Sequence, residues 1–413
     1  MAENRRIGIW LIGAKGGVAT TTIVGLCALR KGLIGDSGLV SQLPMFRGLD
    51  LAGWDQFAVG GHEIRELRLV EEAMRLARDH RAIDPQLVEA CRPDLETADR
   101  RVRLGTVFRS GPTITELASP AVPRGETPRQ AIRRLQRDLA EFVEAQELEH
   151  LIVVNVASTE PPVDAAAIPP AWAGLEPLLD DPVACPLPAS SLYAAAALEM
   201  GFSHINFTPS LGCAPAALDD LAQRKRTRHY GCDGKTGETL MKSVLAPMFR
   251  ARNLQVANWV GHNIFGNMDA RVLNDPANKA AKVSSKDRLL GEILGYRPDT
   301  LVSIEYVEGM GDWKTAWDHI HFRGFLGTPM TLQFIWQGCD SILAAPLVLD
   351  LVRFTELARR RGEIGMLPFL SSFFKSPYGV GEHDFFRQYR MLEAWATSAD
   401  VVGPLGNRTS SPR

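Results

Sequence analysis

Five lysines and three aspartates stand where an ammonium or a carboxylate could do chemistry. Lys279, Lys282 and Lys286 in "DPANKAAKVSSKDRLLGEILGY" are three and four residues apart, so a helix there would place all three on one face. Like charges at that spacing cost roughly 0.2–0.5 kcal/mol per pair, which either solvent or a bound anion offsets. Lys314 in "GMGDWKTAWD" and Lys375 in "LSSFFKSPYG" lie among aromatic and small residues. Burial there disfavours the ammonium and eases proton loss; the alternative is a side chain that snorkels to water. Asp233 in "GCDGKTGET", Asp269 in "GNMDA" and Asp340 in "QGCDSIL" are carboxylates that could balance such cations, although Asp340 also suits a helix N-cap.

A second chemistry lies near the N-terminus. The apolar run "RIGIWLI" is followed by "GAKGGVATTT", Gly13 to Thr22. An ATP-binding loop needs glycines that let backbone N–H groups curl around phosphates, and a lysine that neutralises them. Thr20 stands where the lysine of partitioning ATPases would be. A dinucleotide loop needs no lysine: a strand, a tight turn at Gly13, close approach at Gly16 and Gly17, and a helix N-terminus facing a pyrophosphate. A glycine turn with no ligand remains an alternative. Asp36 falls about 20 residues beyond the loop, where a ribose-binding carboxylate is expected; it could equally be a turn residue.

The chain has 413 residues, 45% apolar and 23% charged, with a formal net charge of -2. That length suits two domains or one with a large insertion. The charge gives no global attraction to nucleic acid or anionic membranes. Arg133, Arg134 and Arg137 are interleaved with acids and read as a solvated helix face. Asp350 and Arg353 interrupt the best membrane-span candidate, "SILAAPLVLDLVRF". Six scattered cysteines show neither zinc nor dithiol spacing and fit a reducing cytoplasm.

Strand, turn and helix occupy residues 1 to about 35, and amphipathic helical segments dominate 62–148. "EHLIVVNVAS" is a buried strand whose polar exit, with Asn155, Ala157 and Ser158, falls where ligands collect on parallel sheets. "SHINFTPS" is another strand, and the alternation to about residue 240 predicts a doubly wound parallel sheet. Beyond it, "LVSIEYV" and "MTLQFIWQ" alternate as strands of a second sheet. "DSILAAPLVLDLVRFTELARRRG" and "DFFRQYRMLEAWAT" are helices that return to the first layer.

Taken in order, these segments resemble the myo-inositol-1-phosphate synthase family, in its compact prokaryotic form. Its "G-D-D-x-K-S-G-x-T" is echoed by "GCDGKTGET", its "N-H-L-G-N-N-D-G" by "NIFGNMDA", and its "S-K-E-I-S-K" by "AKVSSK". Its "G-D-S-K", "C-E-D-S-L-L-A" and "F-K-A-P" are echoed by "GDWK", "GCDSILA" and "FFKSP". Departures fall at Met268, Ala270, Ala281 and Thr236.

The resemblance implies an α/β fold, with a Rossmann-like NAD-binding domain over 1–239, completed by 344–413. An α+β catalytic and oligomerisation domain over 240–343 would be inserted in it. It implies a cytoplasmic homotetramer that turns glucose 6-phosphate into inositol phosphate. Hydride would pass from C5 to NAD, C6 would attack the C1 aldehyde, and the hydride would return. Gly13, Ala14, Gly16, Gly17, Val18 and Ala19 would hold the NAD pyrophosphate, with Asp36, Asn155, Ala157, Ser158 and Asp233 also on the cofactor. Lys282 and Lys375 would serve the C5 oxygen and proton transfers, Lys314 the C1 oxygen, and Lys286 the phosphate. Thr236, Gly237, Thr239, Asn263 and Asn267 would complete the substrate pocket, while Asp233, Asp269 and Asp340 orient the lysines. A divalent or monovalent cation is left open. The competing expectations are a partitioning-type ATPase switch and a non-catalytic NAD-binding regulator.

Overall fold

The computed structural model describes residues 5–273 and 289–398, without the side chains of residues 269, 270 and 273. Lys279, Lys282 and Lys286, with the helix expected to carry them, lie outside the described residues, as does the Asp269 side chain.

β1 (Ile7–Ile12) is buried at every position, as an apolar run without alternation requires when both faces are covered. It leads through the glycine turn into α1 (Gly17–Arg30). β2 (Phe57–Glu63), β3 (Val102–Leu104), β4 (His150–Asn155), β5 (Ser203–Asn206) and β6 (Arg228–Gly231) follow, and the last described strand, β11 (Gly365–Met366), joins the same sheet. The order is β11-β6-β5-β4-β1-β2-β3, all parallel. Ile7, Ile9, Leu11, Ile152 and Val154 face α1, α2 (Leu69–Arg78) and α3 (Pro85–Arg100). Trp10, Ile12, Leu151 and Val153 face α4 (Pro128–Ala145), α5 (Ala189–Glu199) and α6 (Ala216–Arg224). The expected doubly wound sheet is present. Ile12 lies level with His62 and Asn155, so β1, β2 and β4 end together at the point where strand order reverses.

The second sheet contains β7 (Gln255–Phe265), β8 (Asp299–Tyr306), β9 (Trp313–Arg323) and β10 (Pro329–Cys339) in the order β10-β9-β7-β8. α7 (Gly237–Ala251) and residues 289–294 cover one face, where Phe249, Trp259, Leu290 and Ile320 form a core. The opposite face carries Ile335, 69% exposed, and Leu301, 54% exposed. β8 and β10 match the alternation in the sequence, but the central β7 and β9 escape it. In β9 the buried series Ala316, Asp318, Ile320 includes a carboxylate, which accepts from Trp259 Nε1 at 2.6 Å and hides the period.

α8 (Asp340–Arg360) returns to the first sheet and packs on α1. Its N-cap is Cys339, so Asp340 sits one residue inside the first turn rather than capping it. α9 (Phe385–Ser398) is anchored by Trp395, stacked on Phe369 at 3.9 Å.

Candidate active site

A cavity of about 230 Å³ opens at the ends of β1, β2, β4 and β5. The glycine turn forms one wall. Gly13 N and Ala14 N donate to His62 O at 2.9 and 3.0 Å, and Gly16 N donates back to Gly13 O at 2.9 Å. Gly13 has φ +79°, and a Cβ there would lie 2.9 Å from Ala157 Cα, so the turn admits only glycine. Gly13, Gly16, Gly17 and Val18 line the cavity beside Asn155, Ala157 and Ser158. Ala14 and Ala19 are buried in the core behind it. The loop therefore offers α1's N-terminal N–H groups to an anion across a surface free of side chains, which fits a pyrophosphate.

The loop itself offers no lysine to a nucleotide triphosphate. Thr20 is fully buried, and Lys15 turns away: its Nζ donates to Leu67 O at 2.6 Å and pairs with Asp99 at 2.7 Å. The ATPase expectation fails on this geometry.

Asp36 is exposed in the connection after α1, outside the cavity lining. Residues 31–56 intervene before β2 begins, so counting about 20 residues from the glycines stops short of the strand that ends beside them. The carboxylate at the end of β2 is Glu63, which is buried. It accepts from Lys15 N at 3.0 Å and from Ile64 N at 2.9 Å, and it pairs with Arg65 at 3.1 Å. Chiefly through Arg65, against the effect of burial, its carboxyl is held below the usual range.

The opposite wall brings together Asp233, Thr236, Asn267, Asp312 and Asp340. Asp233, with φ +61°, pairs with Lys375 Nζ at 2.8 Å, and Lys375 N donates to Asp233 O at 2.7 Å. Asp233 Oδ2 is buried without a hydrogen-bond partner among the described residues. Lys314 Nζ lies 3.4 Å from Asp340 Oδ2 and 5.0 Å from the Phe265 ring centroid. Two lysine–aspartate pairs thus border one cavity, each aspartate lining it.

Asn155 is buried and acts as a clamp: its Nδ2 donates to Asn206 Oδ1 at 3.1 Å, and its Oδ1 accepts from Ala157 N at 3.2 Å. Gly237, Thr239 and Asn263 do not line the cavity. Gly237 lies under Trp336, Thr239 is buried in α7, and Asn263 Nδ2 donates to Ser303 O at 3.4 Å.

The chain matches a family model described as Myo-inositol-1-phosphate synthase over residues 7–397. It is 32% identical to inositol-3-phosphate synthase 1 of Bacteroides thetaiotaomicron across 96% of both chains. The chain belongs to the myo-inositol-1-phosphate synthase family. Its fold is shared with a crystal structure of inositol-3-phosphate synthase from Caenorhabditis elegans, with TM-score 0.84 and 24% identity over 95% of this chain and 86% of that one. A myo-inositol-1-phosphate synthase-related protein from Thermotoga maritima gives TM-score 0.76 and 24% identity over 95% and 98%.

Besides Glu63, the sequence reading gave no role to two cavity groups, Asp312 and Glu160, or to Lys235 behind the lining. Asp312 is the aspartate of "GDWK"; it accepts from Ser341 Oγ, from Cys339 Sγ at 2.7 Å and from Asn267 Nδ2 at 3.2 Å. Its place two residues before Lys314 was the available signal. Glu160, at the exit of β4, accepts from Ser190 Oγ and from Ser190 N at 2.9 Å, and burial pushes its carboxyl up to about 7. Lys235 lies in "GCDGKTGET" behind Asp233, not on the lining itself. Its Nζ donates to Gln388 Oε1 on α9, and burial pushes it down to about 7. Among the described residues no group of three or more His, Cys, Asp and Glu side chains is placed to hold a metal.

Proposed function

We infer that this chain is an NAD-dependent enzyme that converts D-glucose 6-phosphate into 1L-myo-inositol 1-phosphate, the first step of inositol biosynthesis. The observation that carries it is the pair of lysine–aspartate contacts bordering one cavity with a side-chain-free dinucleotide turn, in a chain matched to this family over residues 7–397.

Bound NAD supplies a hydride acceptor and later returns the hydride, so the overall reaction is redox-neutral. Gly13, Gly16, Gly17 and Val18 would hold its pyrophosphate, with Asn155, Ala157 and Ser158 as the facing wall. Lys375, steadied by Asp233, and Lys282 would serve the C5 oxygen and its proton transfers as that carbon is oxidised and then reduced. The new ketone acidifies C6, and the enolate carbon bonds to C1. Lys314, oriented by Asp340, would meet the alkoxide that forms at C1. Every stage gathers negative charge on oxygen, where a well-placed donor is worth about 10²- to 10³-fold in rate. Lys286, Thr236 and Asn267 would hold the phosphate, and Asp269 would balance the lysines. Gly237, Thr239 and Asn263 then support α7 and β7 from behind.

Residues 240–343 form the proposed catalytic and oligomerisation unit, set between 1–239 and 344–413. The open face of the second sheet supports a homotetramer. His262 stacks on Trp317 at 5.7 Å, and Ile335 and Leu301 project beside them as an apolar surface that a second copy would cover. No described helix is long and apolar enough to cross a membrane, and the free cysteines support a cytoplasmic setting.

Purified protein with NAD and glucose 6-phosphate is expected to form inositol phosphate, followed by phosphorus NMR, and none when NAD is stripped. A bound but unreactive NAD would instead mark a non-catalytic regulator. Lys286→Ala should raise KM more than it lowers kcat, because a phosphate contact is present equally in ground and transition states.

A further inference from the structure

A second cavity, of about 200 Å³, lies at the other end of the first sheet. Its floor is Ile23, Leu26, Cys27, Phe57, Val59 and Ala98. Phe57 is the first residue of β2, and α1 contributes its later turns, so this site lies away from the strand ends that hold the cofactor cavity.

The rim carries two arginines, Arg30 and Arg101, and one carboxylate, Asp94. Arg30 donates to Phe57 O at 2.7 Å and stands 3.6 Å from Asp94, which is itself held by Lys31 at 2.8 Å. Arg101 differs. Its Nη2 donates to Gln146 Oε1 at 2.6 Å, a neutral amide, and no described carboxylate forms an ion pair with it. Burial, then Arg100, Arg30 and Arg6, disfavour its charge, and no carboxylate offsets them. A half-buried guanidinium without a counter-charge, beside a hollow with an apolar floor, is what an anionic head group would satisfy.

We propose that this cavity is a second ligand site, for a small organic anion with a carboxylate or phosphate head on Arg101 and Arg30 and a ring-sized apolar body on the floor between α1 and β2. A cavity of about 150 Å³ holds benzene, which sets the size of the body. Thr97 on α3, one turn before Arg101, also lines the rim.

Calorimetric titration of the full chain saturated with NAD, using benzoate as the probe and benzyl alcohol as its neutral counterpart, tests this. Benzoate is expected to bind at one saturable site, with affinity at least about tenfold below wild type in Arg101→Gln and about tenfold weaker binding of benzyl alcohol. Thr97→Leu, at a partly exposed helix position, narrows the hollow while keeping Arg30 and Arg101 in the chain, and should also abolish benzoate binding. Absence of saturable binding to wild type, equal binding by Arg101→Gln, or equal binding of the alcohol would overturn the site.

Discussion

Lys375 and Asp233 are 142 positions apart in the chain and meet at 2.8 Å. The ion pair holds the ammonium at the cavity and leaves Asp233 Oδ2 unpartnered among the described residues. Lys375→Ala should lower single-turnover NADH formation by about 10² or more while NAD affinity stays within about twofold of wild type. Arginine should not rescue it, because guanidinium keeps its proton. Near-normal NADH formation in the alanine variant would remove Lys375 from the redox step. Lys235 supplies a pH test. Burial lowers its amine to about 7, with Asp384 opposing and Lys375 adding to the effect. Below pH 7 it is charged in both folded and unfolded chains, and the folded state bears the full desolvation penalty. Between pH 7 and its ordinary value the unfolded chain holds a proton that the folded one has released. Folding stability from this group therefore rises with pH, by at most about 1.4 kcal/mol per unit. Lys235→Met should have its greatest relative stability at pH 6 and lose that advantage by pH 10 in urea melts. A pH-independent difference would mean that the amine is not desolvated.

At the scale of elements, the glycine turn was legible because strand, turn and helix are contiguous in sequence. Glu63 was not, since the connection over 31–56 lengthens the path between two strands that are neighbours in space. Asp233 and Lys375 come from distant segments, so Asp233 was legible as a candidate carboxylate but its partner was not, and Asp312 was missed although it stands two residues before Lys314. β9 was hidden by a buried aspartate at the position where alternation calls for an apolar residue. Gly13→Ala is expected to destabilise the fold by about 1–3 kcal/mol, because the left-handed φ and the contact with Ala157 must both be relieved. Since that strain moves the wall proposed to face NAD, NAD affinity in fluorescence titration should fall more than about tenfold. An alanine variant that binds NAD normally would show that the turn does not cradle it.

For the whole molecule, the parallel sheet and the second sheet divide the labour: one ends in the glycine turn proposed to hold NAD, and the other carries Lys314 on β9 and exposes its opposite face. Ile335→Lys, on that face, should lower the mass of the proposed tetramer in light scattering at micromolar protein, as a charge placed in an apolar contact must be desolvated. An unchanged mass would locate the contact elsewhere. The central claim is that C5 is oxidised and then reduced by the same hydride within one turnover. The most direct measurement uses glucose 6-phosphate deuterated at C5, with the product analysed by NMR and mass spectrometry. Inositol phosphate that keeps deuterium at the carbon derived from C5, with no accumulation of NADH, is the expected result. Loss of the label to solvent, or stoichiometric NADH without inositol phosphate, would contradict the account.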